Sequence, residues 1–199
     1  TMTAHLLKQS HVDCNAFLGG ISKNYTSNLL LSDKSDLVVI EADEFDRSFH
    51  HLTPYMAVIT AVDADHLDIY GTHEAYLESF AHFTSLIRED GCLIVKKDIA
   101  LQPRLGKNVK LYTYSATEKA DFYAKNVRVG NGTIIFDFVT PTETISDIEL
   151  GVPMLVNVEN SVAAMALAWL NGVTANELRN GMKSYAGIRR RFETWLKTD

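Results

Sequence analysis

Short apolar runs separated by polar turns set the rhythm of the first 120 or so residues. Leu37-Val38-Val39-Ile40, Met56-Ala57-Val58-Ile59-Thr60 and Cys92-Leu93-Ile94-Val95 are β-rich and too short for helices, so they read as buried strands over 37–41, 56–62 and 92–95. Cys14 to Leu18 and Val109 to Tyr114 add two more, and Gly19-Gly20 opens a polar loop after the first. Residues 1–9 carry a helical pattern. So do residues 73–87, where Tyr76, Phe80, Phe83 and Ile87 recur at spacings of four, three and four and form one buried face ahead of Gly91. Strands alternating with helices of this length imply right-handed βαβ units.

The texture changes after residue 120. Phe122 to Val129 and Thr133 to Val139 flank Gly130-Asn131-Gly132, a hairpin signal, and Glu143 to Leu150 supplies a third extended piece. Helices follow at 158–171 and 174–183, with Gly172 at the exit of one and a Thr174/Glu177 capping box opening the other. The expected fold class is α/β: a mainly parallel sheet flanked by helices, with a small antiparallel β meander.

Polar positions add chemistry to this frame. The run ending at Ile40 discharges Glu41, Asp43, Glu44 and Asp46, and the run ending at Thr60 discharges Asp63, Asp65, His66 and Asp68. Open α/β sheets collect ligands beyond the carboxyl ends of their strands, so acids placed there suit a divalent cation and phosphate. The spacing predicts that Glu41 and His66 share one cation-ready rim. Yet no Gly-x-x-Gly-Lys-Thr phosphate loop occurs in the 199 residues.

Composition narrows the classes. With 46% hydrophobic and 22% charged residues, the chain has ample material for a core, and no apolar run approaches a membrane span. A formal charge of −6 argues against a broad nucleic-acid surface, though not against a nucleotide ligand. Cys14 and Cys92 form no metal motif and read as buried thiols of a reducing, cytoplasmic setting. The amino terminus lacks the layout of a signal peptide. It reads as a helix body without a start signal, and both ends look like cuts from something longer. Oligomeric state is not set by any pattern in the chain.

Glu41-Ala42-Asp43-Glu44-Phe45-Asp46-Arg47-Ser48-Phe49, followed by Asp65-His66-Leu67-Asp68, resembles the Mur ligases. The tail Gly187-Ile188-Arg189-Arg190-Arg191-Phe192-Glu193 is similar to that family's bridge into its carboxyl-terminal domain. The resemblance implies that residues 1–187 are a central, P-loop NTPase-like ATP-binding domain without its phosphate loop, and that 188–199 begin the linker. It also implies ATP and Mg²⁺ as cofactors. The reaction implied is amide formation through an acyl-phosphate in peptidoglycan synthesis. The branch resembled most joins L-alanine to UDP-N-acetylmuramate, which would be the partners of the parent enzyme.

On this resemblance Glu41 binds the Mg²⁺ that bridges nucleotide phosphates, and His66 is associated with a second divalent ion. Imidazole is not the preferred partner of Mg²⁺, so pattern more than coordination chemistry carries His66. Asp65 and Asp68 could orient its ring, while Asp43, Glu44 and Asp46 are expected as outer or solvent-facing acids. Asn157 and Asn160 match asparagines that read adenine, although Met154 and Val156 stand where glycine and histidine are expected. Helix capping is their simpler role. Arg191 is the hinge arginine that could sense the nucleotide. The lysine that several members carry after the Asp-His motif is missing from 73–87, as it is in alanine-adding members. No residue is assigned to proton transfer.

Three other functions stay open at this point: a ligase recycling muropeptide onto the same UDP-sugar, a metal-dependent phosphohydrolase, and a non-catalytic nucleotide-binding module. The remaining histidines read as surface or structural. Without a phosphate loop, the 199 residues alone are expected to be inactive.

Overall fold

The computed structural model describes residues 1–190. Arg191 and most of the expected 188–199 linker lie outside them. The chain divides into two compact units, one formed by residues 1–41 and 124 onward, the other by residues 42–123. Glu41 ends the opening segment of the first unit, and His66 belongs to the second.

In the first unit, the all-apolar run before Glu41 forms β3 (Val38–Ile40), which runs parallel to β1 (Asn15–Phe17). On its other side β1 pairs antiparallel with the two-residue β2 (Leu29–Leu30). Helix α1 (Met2–Lys8) buries Ala4, Leu6 and Leu7 against α4 (Leu155–Leu170) and α5 (Ala175–Ser184). Gly181 lets α1 and α5 approach, since a Cβ there would lie 2.8 Å from Cδ2 of Leu6. Across Gly130-Asn131-Gly132, the expected hairpin position, β7 (Phe122–Gly130) and β8 (Thr133–Val139) are hydrogen-bonded neighbours, and β8 pairs antiparallel with β9 (Thr144–Glu149) to complete the meander. Phe136, Phe138, Ile145 and Ile148 supply its wholly buried side chains.

The second unit is built on parallel ladders. Strand β4 (Met56–Ile59) pairs with β5 (Cys92–Lys96), and β5 with β6 (Lys110–Ser115). Tyr114 and Ser115 of β6 pair in parallel with Phe122 and Tyr123 of β7 (Phe122–Gly130), which then continues into the first unit. The four, three, four pattern is confirmed: Tyr76, Phe80 and Phe83 of α3 (His73–Ser85) and Ile87 beyond it are buried with Phe49, Ile59, Leu93 and Val95. The mainly parallel α/β reading holds, with an antiparallel meander appended.

Several boundaries differ from expectation for identifiable reasons. Helix α3 stops at Ser85 because the Thr84 and Ser85 hydroxyls donate back to the carbonyls of Ala81 and His82 at 2.7 Å, loosening its last turn. Helix α4 starts at Leu155, three residues early, on Leu155 and Val156, whose apolar side chains stay exposed and so add nothing to a buried face. Three short elements escaped pattern reading: β2, a 3₁₀ turn over Phe45–His51, and α2 (Leu67–Tyr70). One-turn or two-residue elements have no periodicity to detect. Among the described residues, no helix is long and apolar enough to cross a membrane.

His5, expected to be surface or structural, is buried in the first unit between the Tyr25 hydroxyl and Ser184 Oγ, each 3.0 Å from a ring nitrogen. Burial holds its pKa below the ordinary value. The neutral ring is therefore favoured in the folded chain. The unfolded chain takes up a proton first as pH falls below about 6.5, so this contribution to stability is full above that value and fades as acid rises. Denaturation midpoints measured from pH 7 to 5 should fall, and His5→Gln should flatten part of that slope. A slope identical in the variant would contradict the assignment. Separately, Leu29, Phe17 and Ile40 form an exposed apolar row across β2, β1 and β3. Such a row on an edge strand invites association. Light scattering should show concentration-dependent self-association of the chain that Phe17→Ser reduces, whereas a clean monomer at high concentration would count against it.

Candidate functional site

Glu41 leaves β3 at its carboxyl end, its backbone N–H still donating to the Phe17 carbonyl at 3.2 Å. The exposed side chain folds back toward the loop after β1, where its Oε2 accepts from the Gly19 N–H at 3.1 Å. Gly19 leaves room for this contact, because a Cβ there would stand 2.5 Å from Oε1 of Glu41 and push the carboxylate aside. The ladder and one backbone donor thus fix a carboxylate at a strand mouth, leaving lone pairs for a cation.

The asparagines, in the same unit, are not placed as sequence alone suggested. With α4 beginning at Leu155, Asn157 sits inside its first turn and the cap position falls to Met154, which offers no side-chain cap. Asn157 is buried and spends its Nδ2 donor on the Val152 carbonyl at 3.0 Å, tying down the approach to the helix. Asn160 is exposed, its Nδ2 lying 3.5 Å from Oδ1 of Asn157. Of the two, Asn160 is the one that can meet a ligand.

In the second unit, the acids after β3 and β4 surround a cavity of about 420 Å³. Glu44, Asp63 and Asp65 contribute carboxylates to its wall, and Phe49, Tyr76, Phe80 and Phe83 form its aromatic part. The loop reaches this shape through Asp43, whose Oδ1 accepts from the Phe45 N–H and whose carbonyl accepts from Phe49 N–H, both at 3.0 Å. Asp46 and Arg47 take left-handed conformations with φ of 51° and 63°. The Tyr70 hydroxyl donates to the Glu44 carbonyl, and the Arg47 guanidinium lies over the Tyr70 ring at 4.9 Å.

His66 stands beside this wall, also in a left-handed conformation. Its Nε2 is 3.7 Å from Glu44 Oε1 and 3.7 Å from Asp65 Oδ2, and its ring meets Phe45 edge-on. Asp65 Oδ1 accepts the His66 N–H at 2.7 Å, and the His66 carbonyl opens α2 by accepting from Ile69 and Tyr70. Asp65 is therefore a neighbour of the imidazole, as expected. The second neighbour is Glu44, not Asp68, which is exposed on α2. No local spacing links Glu44 to His66, so sequence reasoning could not pair them. Among the described residues, no group of three or more His, Cys, Asp or Glu side chains is gathered to hold a metal ion by itself.

The acids also act at a distance. Burial, and then the charges of Glu44, Asp65 and Asp63 among others, push the Tyr76 hydroxyl up to about 12. Glu44→Gln removes one of these charges and should lower that value, read as a Tyr76-specific signal by subtracting the Tyr76→Phe titration. An unchanged Tyr76 curve would mean that the Glu44 charge does not reach the cavity.

Comparison with known proteins places this geometry in a family. Residues 1–168 match the Mur ligase middle domain. The chain is 69% identical over all its 199 residues to UDP-N-acetylmuramate–L-alanine ligase of Parabacteroides distasonis, covering 43% of that protein. It is 60% identical over 200 aligned residues to the ligase of the same name from Porphyromonas gingivalis strain W83, covering 44% of it. Among solved structures, UDP-N-acetylmuramate-alanine ligase from Thermotoga maritima superposes with a TM-score of 0.81 at 23% identity, over 99% of this chain and 44% of that one. A Neisseria meningitides ligase joining UDP-N-acetylmuramate to L-alanyl-γ-D-glutamyl-meso-diaminopimelate gives 0.77 at 20% identity, over 95% and 62% respectively. At such identities the structures speak for the fold alone. The chain spans less than half the length of the curated relatives it matches, and it belongs to the Mur ligase middle-domain family.

Proposed function

We propose that this chain is the middle domain of an ATP-dependent ligase that joins L-alanine to UDP-N-acetylmuramate in peptidoglycan synthesis. The observation that carries the reading is 69% identity across the whole chain to a protein named for that reaction. Residues 1–187 would form the domain and 188–199 the start of its linker, in a cytoplasmic enzyme. The recycling ligase is a weaker match, since its likeness rests on fold at 20% identity. A stand-alone metal phosphohydrolase would need convergent ligands that the described residues do not gather.

The residues present fit a cation brought in with phosphates and not a self-sufficient cage. Mg²⁺ accepts one or two protein carboxylates and completes its octahedron with phosphates and water, a need that exposed Glu41 meets. His66 is a softer donor, and Glu44 and Asp65 would hold its ring while offering harder oxygens nearby. Bound with nucleotide, Mg²⁺ would neutralise charge on the transferred phosphoryl group.

The chain's own part is positioning. Glu41 binds, Gly19 orients Glu41, and the acids beside His66 set the sign of the field in the cavity. Asn160 is the stronger candidate to read adenine, with Asn157 as its support, and Arg191 would meet nucleotide phosphate through its planar fork. The chemistry implied for the whole enzyme is attack of a muramic-acid carboxylate on the γ-phosphoryl group of ATP, breaking its bond to the β-phosphate so that ADP leaves. The acyl-phosphate so formed is then opened by the amine of L-alanine, releasing phosphate.

The test is phosphate release by a full-length ligase carrying this sequence, given ATP, UDP-N-acetylmuramate and L-alanine. Glu41→Gln should lower kcat by more than about a hundred-fold, the upper range for residues outside a metal's own ligands, and Glu44→Gln by roughly ten-fold. The 199-residue chain alone should release none, because backbone donors and a lysine around the phosphates are not in its sequence. Alanine-independent turnover, or micromolar ATP binding by the chain alone, would contradict the proposal.

A further inference from the structure

A single run of six residues in the first unit touches both the Glu41 carboxylate and the segment that leads out toward residue 191. At its near end the Gly19 N–H donates to Glu41 Oε2. One residue on, a Cβ at Gly20 would stand 2.6 Å from Cγ2 of Ile188. The Ile21 carbonyl accepts from Arg189 N–H at 3.0 Å, Ser22 and Ile188 form an antiparallel bridge, and Lys23 N–H donates to the Gly187 carbonyl at 2.9 Å. Asn24 closes the far end: its Nδ2 donates to the Ser184 carbonyl at 2.7 Å and its Oδ1 accepts from Ala186 N–H at 2.8 Å. The exit segment itself bends at Gly187, whose φ of +86° suits glycine.

We propose that Gly19 is a positioning residue for Glu41, and that the run from Gly19 to Asn24 is a strap coupling the state of that carboxylate to residues 184–189. The coupling part rests on the reading of Glu41 as a cation ligand, while the strap does not. The physical case is continuity. Gly19 to Lys23 are committed through backbone groups or the lack of a side chain, and Asn24 through its side-chain amide, so displacing Gly19 moves Gly20 against Ile188 and strains the two inter-segment hydrogen bonds that follow. Ser22 is wholly buried with its hydroxyl unpartnered among the described residues, so no side-chain hydrogen bond there absorbs the shift. A group that fixes the carboxylate at one end biases the bridge at the other, and the bias is reciprocal.

Amide hydrogen exchange on the 199-residue chain reads this directly, with the Leu150 amide, which donates to Ile134, as a distant reference. Glu41→Ala deletes the acceptor for Gly19 and should speed exchange at Lys23 and Arg189 about five-fold, the factor of one ordinary net hydrogen bond, while leaving Leu150 unchanged. Glu41→Gln keeps an oxygen acceptor and should restore wild-type exchange, although it removes the charge a cation needs. A purely structural disturbance would not be rescued in this way. Acceleration confined to Gly19, or equal acceleration in the Gln and Ala variants, overturns the strap. Mn²⁺-induced line broadening in a full-length ligase carrying this sequence, with ATP present, lost in Glu41→Gln, tests the cation reading separately. Its failure would remove that reading while the exchange rates still decide the strap.

Discussion

One backbone hydrogen bond, from Gly19 to the Glu41 carboxylate, holds the exposed acid at the mouth of β3. The parallel ladder between β1 and β3 brings the two strand ends to the same level, and the missing side chain at Gly19 leaves room for the carboxylate to fold inward. Any larger residue would meet Glu41 Oε1 at about 2.5 Å and force either the loop or the acid to move. The same loop goes on to hold the outgoing segment near Ile188. An exposed acid at a strand mouth and a chain exit therefore share one short piece of backbone, which is held from both ends.

The second unit handles its acids differently. Its carboxylates are set around a cavity whose other wall is aromatic, and they are separated enough that none of the described groups forms a metal cage. Burial and negative charge both raise the pKa of the Tyr76 hydroxyl, and the wall carboxylates Glu44, Asp63 and Asp65 give the cavity a negative field that attracts a cation. Glu44 does two jobs there. Its carbonyl receives the Tyr70 hydroxyl and its carboxylate faces His66, so the loop's backbone is anchored by the same residue whose charge it presents.

Much of this architecture could be read from the chain because the strands are unusually plain. Val38–Ile40, Met56–Ile59 and Cys92–Lys96 are apolar runs, and the only ambiguity lay in their ends. Gly130-Asn131-Gly132 announced the hairpin, and Thr174 with Glu177 formed the capping box their spacing implied. The unreadable parts have physical causes. The turn over Phe45–His51 depends on two left-handed residues, Asp46 and Arg47, neither of which is glycine. The opening of α4 shows exposed Leu155 and Val156, so its buried face begins later than the helix does. Gly19 read as an ordinary loop glycine, since its steric role exists only once Glu41 stands beside it. Asn157 read as a helix cap or an adenine contact, yet its donor is spent on Val152.

The central claim is that Glu41 offers its carboxylate to a cation carried by nucleotide phosphates. The most direct test is anomalous scattering from crystals of a full-length ligase carrying this sequence, grown with Mn²⁺ and ATP. The account predicts a peak within about 2.0–2.2 Å of a Glu41 carboxylate oxygen, a distance drawn from Mg²⁺-type coordination. A nucleotide-bound peak coordinated by other side chains, with Glu41 still turned to Gly19 alone, would contradict it.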